Sequence, residues 1–283
     1  MSEIPAKTLR RRRALSREFL SGDGIEVGAL HHPLALGSRA RVRYVDRYDV
    51  EGLRLHYPEL HDYDLVNVDV IDDGERLSTF RDGELDFLIA NHFLEHTENP
   101  IGTIRNHLSK LRPGGRLYFA VPNKHDCFDR DREPTPFEHL VADDREGPEG
   151  SRADHYREWA TRVEKLDDPA DVETHVNHLM AANYSIHFHV WDARSFSAFL
   201  DRTRSYLGNT FDIEHFCVNG SEIVTILKKR DSTSPEARPR LRRELGGLAR
   251  RLSSHWADWR AQARSVRSAL RRALSQRTRR RTT

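Results

Sequence analysis

Residues 24–46 read GIEVGALHHPLALGSRARVRYVD. A short apolar run over 24–29 meets a glycine, and a second run over 41–46 ends in Asp46. Two buried strands in this order predict the start of a parallel crossover. Only roughly 11 residues separate them, near the minimum a crossover needs, and Pro33 lies among them. A dinucleotide site would need Gly-x-Gly-x-x-Gly leading into a helix whose N-terminus receives the pyrophosphate. Here the second and third glycines are missing. The stretch therefore predicts close approach of a ligand at Gly28 without a phosphate cradle, and it makes His31 and His32 part of a short loop in place of a helix.

The pattern repeats down the chain. LVNVDVID (65–72), LDFLIAN (85–91) and GRLYFAVP (115–122) are further strand candidates. NPIGTIRNHLSKLRPGG (99–115) carries Ile101, Ile104, Leu108 and Leu111 at helical spacing, with Pro113-Gly114-Gly115 expected to end the helix. Strands alternating with helices predict an α/β fold, a doubly wound and mostly parallel sheet. FDIEHFCV, then Asn219-Gly220, then SEIVTILKK predicts an antiparallel terminal hairpin. Residues 123–185 are polar, rich in His and Asp, and broken by prolines. They read as an insertion capping the strand ends, with one helix over SRADHYREWATRVEKL. DARSFSAFLDRTR (192–204) reads as a helix with an Asp N-cap. Residues 1–22 form a basic N-terminal helix, 23–230 the main domain, 231–239 a linker, and 240–283 a basic amphipathic helical tail.

Composition narrows the classes. The chain has 283 residues, 37% hydrophobic and 32% charged. No apolar run approaches the roughly 18 residues of a membrane span. The basic N-terminal stretch lacks the apolar region of a secretory signal. Cys127 and Cys217 have neither metal spacing nor a disulfide framework, which fits a reducing cytoplasm. The net charge of +2 conceals an asymmetry: residues 238–283 hold fifteen arginines against Glu244 and Asp258, so the body is acidic.

In open parallel sheets ligands sit outside the carboxyl ends of the strands. That rule selects Gly28, Asp46, Asp72, Asp73, Asn91 and the residues after Pro122. Asp46 is placed for ribose hydroxyls, and Asp72 and Asp73 for an exocyclic amine. Acids without a phosphate cradle suit a cationic, phosphate-free nucleoside, of which S-adenosylmethionine is one.

The order EVGAL, YVDR, VDVIDDGERL, LDFLIANHFLEHTENP, LRPGGRLYFAVPNK resembles a class I S-adenosylmethionine-dependent methyltransferase. It is most similar to the small-molecule, ubiquinone-biosynthesis-like branch. NHFLEHTENP and LRPGGRLYFAVP are its most specific pieces. The resemblance covers roughly 23–230. It implies a Rossmann-like sheet and S-adenosyl-L-methionine as cofactor. It also implies that Glu26 and Gly28 line the methionine end, that Asp46 binds ribose, that Asp72 or Asp73 meets adenine, and that Asn91 and His92 lie along the cofactor.

Transfer to a hydroxyl gains from a base, and histidine serves at neutral pH. Position favours His125, just past the fifth strand, then His139 and His187. His92, Glu95 and His96 lack the His-Glu-x-x-His order of a zinc helix. Glu95 and His96 are read as ordering the loop, and no metal is expected. The expected activity is O-methylation of a hydroxylated small molecule or a sugar or glycan precursor. The alternative is a non-catalytic scaffold of the same fold, docked by its tail. The tail suits an anionic membrane at its inner face or a protein partner. Nucleic acid is disfavoured by the acidic body and the scarcity of aromatics.

Overall fold

The computed structural model describes residues 4–231. The linker and tail expected beyond residue 231 lie outside the described residues. Helix α1 (Ala6–Phe19) precedes strands β1 (Gly22–Val27) and β2 (Ala40–Asp46). Helix α2 (Val50–His56), capped by Asp49 accepting the Gly52 N–H, leads to β3 (Val70–Ile71) and β4 (Leu85–Asn91). Helix α3 (Pro100–Lys110) and strand β5 (Leu111–Pro122) follow. Three helices come next: α4 (Phe137–Glu146), α5 (Arg152–Glu158), which runs into a π-helical turn at Trp159–Val163, and α6 (Pro169–Ala181). Helix α7 (Ala193–Tyr206) and the hairpin β6 (Phe211–Asn219) and β7 (Glu222–Lys229) complete the domain.

The seven strands form one sheet in the order β3-β2-β1-β4-β5-β7-β6. Its pairs are parallel except those of β7, which runs antiparallel to both β5 and β6. Successive side chains point to opposite faces, and two cores result. Leu88, Ala90, Leu117, Phe119 and Leu227 pack on one face under Ile101, Ile104 and Leu108 of α3 and Phe196 and Leu200 of α7. Phe87, Ile89, Tyr118, Ala120, Val224 and Ile226 pack on the other.

That second face is covered in an unusual way. Residues 28–39, between β1 and β2, contain no helix. Leu34 from this loop and Leu15 from α1 cover the face instead. Helix α1 is held there by charge as well as by apolar contact. Arg12 is buried, and its Nε donates to Glu222 Oε1 at 2.9 Å, with Nη2 against Glu222 Oε2. Asn219 Nδ2 donates to Glu222 Oε1 (2.8 Å) and to the Thr8 carbonyl (3.2 Å). The turn residue Gly220 has φ +70°, and a Cβ there would meet Thr8 Oγ1 at 2.8 Å. Hairpin and helix are fitted to each other at this point.

Three local expectations change. The strand expected over 65–72 pairs only at Val70 and Ile71. Asp69 donates its N–H to the Tyr44 carbonyl (2.9 Å) but accepts the Tyr44 N–H through its carboxylate (2.8 Å), so a side chain takes one of the two bonds there. Pro113-Gly114-Gly115 does not end α3, which stops at Lys110. Leu111 already pairs with Leu85, and the Pro-Gly-Gly turn, with Gly114 at φ +79°, fills an irregularity before Arg116 pairs with Phe87. The stretch 123–185 holds three helices rather than one. Tyr156, Val172, Val176, Leu179, Ile186 and Phe188 give α5 and α6 a small core of their own, while Leu140 of α4 joins the main core.

Removing one partner of a buried ion pair strands the other charge and costs about 3–5 kcal/mol. Glu222→Ala is expected to lower the urea unfolding free energy by about that amount. A loss below about 1 kcal/mol would show that the pair does not anchor α1.

Candidate functional site

A cavity of about 760 Å³ opens at the carboxyl ends of β1 to β4. Gly28, Asp46, Asp72, Asp73 and His92 all line it, together with Glu75, Phe93 and His96. Asn183, Tyr184 and Ser185, which follow α6, border it from the other side.

Gly28 has φ +64°, and its N–H donates to the Val45 carbonyl (3.0 Å). A Cβ there would meet nothing nearer than Phe93 Cδ2 at 3.9 Å, so the space above the turn is open. The left-handed backbone, not crowding, selects glycine. Burial raises the Asp46 pKa, and one carboxylate oxygen accepts the Arg47 N–H (2.8 Å). Asp72 accepts from the backbone of Asp73 and Thr79 at 2.7 Å, and Asp73 accepts from the Glu75 N–H at 2.9 Å. These bonds fix the loop and leave carboxylate lone pairs facing the cavity rim. Burial, then the neighbouring Asp73 charge, pushes Glu75 up to about 7. The rim is acidic, and the loop 28–39 brings no helix N-terminus to it.

Glu26 and Asn91 stand apart from these residues and do not line the cavity. Glu26 is buried beneath, where both its oxygens accept the Leu34 N–H at 3.0 Å. Burial pushes its pKa up to about 7 against that bond. Its place in the fold is to pin the loop that replaces a helix. The Asn91 amide is buried beside Glu26 and helps to hold down the pKa that burial raises. His31 stacks on Tyr63 at 4.1 Å and holds the same loop from its outer side.

His92 adopts φ +49° directly after β4. Its Nε2 lies 3.2 Å from Glu222 Oε2 and its Nδ1 3.5 Å from Glu95 Oε1. Burial opposes a charge on this ring, but Glu222 and Glu95 outweigh it and pull its pKa up to about 9. Glu222 in turn is desolvated yet held down to about 2 by Arg12 and His92. The cavity thus has on its wall an imidazole that Glu222 and Glu95 draw toward its charged form and Arg12, 3.0 Å from its Nε2, opposes, with carboxylates elsewhere on the rim.

None of His125, His139 and His187 lines the cavity. His125 is exposed, 3.8 Å from Asp192 Oδ2. His139 packs among other histidines, and His187 Nδ1 is bonded to Asp129 Oδ2 at 2.6 Å in the interior. The histidine that reaches the cavity beside His92 is His96, read from the sequence only as ordering a loop. Its Nδ1 donates to the Ile186 carbonyl (2.9 Å), which leaves the lone pair on Nε2. Burial, then His187, lowers its pKa to about 4. Among the described residues two groups bring possible ligand atoms within 4.8 Å of one another: Glu95 with His96 and His187, and His139 with His155 and His189.

A family model described as a methyltransferase domain matches residues 5–203. No curated protein matches the chain. Among solved structures, a SAM-dependent methyltransferase from Aquifex aeolicus is 11% identical, with a TM-score of 0.39 over 78% of this chain and 87% of that one. One from Thermotoga maritima is 11% identical, with a TM-score of 0.41 over 78% and 92%. The CurJ carbon methyltransferase is 14% identical, with a TM-score of 0.40 over 76% of this chain. The match spans only 50% of that chain.

Stability should depend on pH through these rings. His96 is lowered to about 4, as is His107, whose Nε2 meets the Gly74 carbonyl at 2.7 Å. Both hold a proton more weakly when folded than at the unfolded value near 6.5. Their contribution is complete above that value and is lost as pH falls toward 4. His92 is raised, so its contribution is complete below about 6.5 and is lost as pH rises through about 9. His92→Gln is expected to flatten only the alkaline limb of the melting-temperature profile. An unchanged alkaline limb in that variant would remove His92 from the account.

Proposed function

The chain belongs to the class I S-adenosylmethionine-dependent methyltransferases, and on that footing we propose that it methylates an oxygen of a hydroxylated small molecule or of a sugar or glycan precursor. The observation that carries the reading is the acidic cavity over Gly28, built at the strand ends without a phosphate-binding helix.

The residues present fit the cofactor. Asp46 can accept from ribose hydroxyls, and Asp72 or Asp73 from the adenine amine. Gly28 lets the methionine part lie against the backbone. The imidazolium of His92 suits a carboxylate. When bound, S-adenosylmethionine supplies a methyl group already activated on a sulfonium. The chain's own share is to align the acceptor, exclude water and take up one proton. His96 is the residue we assign to the proton: it borders the cavity, and its Nε2 is unprotonated at neutral pH. Asn183, Tyr184 and Ser185 offer an amide, a phenol and a hydroxyl to a polyhydroxylated acceptor. They end the stretch expected to cap the site, which supports a substrate role for it. The roles expected of His125, His139 and His187 pass to His96 in this reading.

No helix among the described residues is long and apolar enough to cross a membrane. The arginine excess in 240–283 supports peripheral contact with an anionic surface, cytoplasmic in our reading. Deleting residues 236–283 is expected to reduce binding to anionic vesicles and leave affinity for S-adenosylhomocysteine intact. Equal vesicle binding by both forms would refute that role.

Calorimetric titration should show S-adenosylhomocysteine binding that Asp46→Ala weakens at least about tenfold, the loss of one good hydrogen bond to a charged group. With labelled cofactor and a panel of hydroxylated acceptors, His96→Gln should lower kcat on the order of 100-fold while cofactor affinity stays the same. Absence of binding to the folded chain would sink the reading. Transfer to amines or carbon acceptors alone would leave the family and overturn the acceptor class.

A further inference from the structure

Away from the cavity wall, α4, α5 and the segment before α7 bring three imidazoles together. His139 Nε2 and His155 Nε2 are 2.9 Å apart, and His189 lies edge-on to His155 with ring centroids 5.0 Å apart. His189 is fully buried. Its Nε2 donates to the Glu98 carbonyl (3.1 Å), so the lone pair sits on Nδ1, which has no partner. A buried imidazole nitrogen left bare in this way is costly unless something fills it. The pattern, one ring nitrogen fixed by a backbone carbonyl and the other free, is that of a metal-ligating histidine.

A carboxylate adjoins the trio without belonging to the group of close ligand atoms. Asp143 is buried one turn along α4 from His139. Its Oδ1 accepts from Ser151 Oγ (2.7 Å), while Oδ2 lies 3.1 Å from His139 Nε2 and completes no hydrogen bond. Zinc–nitrogen bonds of about 2.0–2.1 Å at tetrahedral angles set ligand nitrogens about 3.3–3.4 Å apart. The 2.9 Å between His139 and His155 needs an opening of a few tenths of an ångström, and the ligand atoms of all three rings already lie within 4.8 Å of one another. Three imidazoles select a borderline divalent transition ion over magnesium or calcium, which take oxygen ligands.

We propose that His139, His155 and His189 form a site for a divalent transition ion of the zinc class, which fastens α4 and α5 to the segment leading into α7. Three histidine ligands leave the fourth tetrahedral position to water. The other group, Glu95 with His96 and His187, reaches the cavity through His96 and is not the one proposed.

The test uses the full chain, freed of metal with a chelator and titrated with zinc sulfate and, separately, magnesium chloride. Wild type should take up zinc but not magnesium, and its melting temperature should rise. His139→Ala and His155→Ala should each weaken one equivalent on the order of 100-fold and abolish the thermal shift, whereas Glu95→Gln should keep both. Cobalt(II) in place of zinc should give the absorption of a tetrahedral ion in wild type and not in His139→Ala. Should His155→Ala fail to fold, His139→Ala decides, because that ring is part-exposed. A second equivalent lost only in Glu95→Gln leaves the proposal standing. No zinc uptake, or uptake lost in Glu95→Gln and kept in both histidine variants, overturns it. None of these readouts depends on methyl transfer.

Discussion

A buried guanidinium and two buried carboxylates meet the imidazole of His92 at the cavity wall, and the rest of the molecule is arranged around that contact. Arg12 comes from the first helix, Glu222 from the last strand, and His92 and Glu95 from the turn after β4. Each charge is tolerable only with the others present. Arg12 neutralises Glu222. Glu222 and Glu95 together favour a charge on His92, which lines the cavity. The position of a helix at one end of the chain is therefore coupled to the electrostatics of the site.

The same economy explains the loop after β1. A helix in a normal crossover would cover the sheet face and point its N-terminus at the ligand. Here the two tasks are separated. α1 and Leu34 cover the face, and nothing replaces the dipole. Glu26, at the end of β1, holds the loop through the Leu34 N–H. A cavity rimmed by Asp46, Asp72, Asp73 and Glu75 is then free to favour a cation.

The strand ends could be read from the sequence because period-two burial and the carboxyl-end rule act locally. Gly28, Asp46, Asp72, Asp73 and His92 indeed meet at one cavity. Glu26 could not be placed this way. An acid in a strand looks the same whether it faces a ligand or a backbone N–H eight residues on. Nearness to a strand end is the only guide the sequence offers to a base among its histidines. Yet His125 turns to Asp192, while His96 reaches the cavity from a turn whose direction depends on the Ile186 carbonyl ninety residues away. Long-range contacts of that kind leave no periodic trace. The His139, His155 and His189 cluster is the same case, since its members come from three segments with no shared spacing. β3 shrank because Asp69 offered the Tyr44 N–H a side-chain acceptor, a competition that propensity alone does not register.

The Arg12–Glu222 contact joins residues separated by 210 positions. Until β7 exists, the first helix has no counter-charge, and its arginine belongs in water. A chain emerging from the ribosome therefore makes α1 early but cannot dock it until almost the whole domain has been synthesised. Loop closure on that scale is slow, and through that interval Phe87, Ile89, Tyr118 and Ala120 are left without their helical cover. Exposed strands of this kind are where aggregation starts. The order of synthesis, rather than the final stability, sets the hazard this fold has to pass.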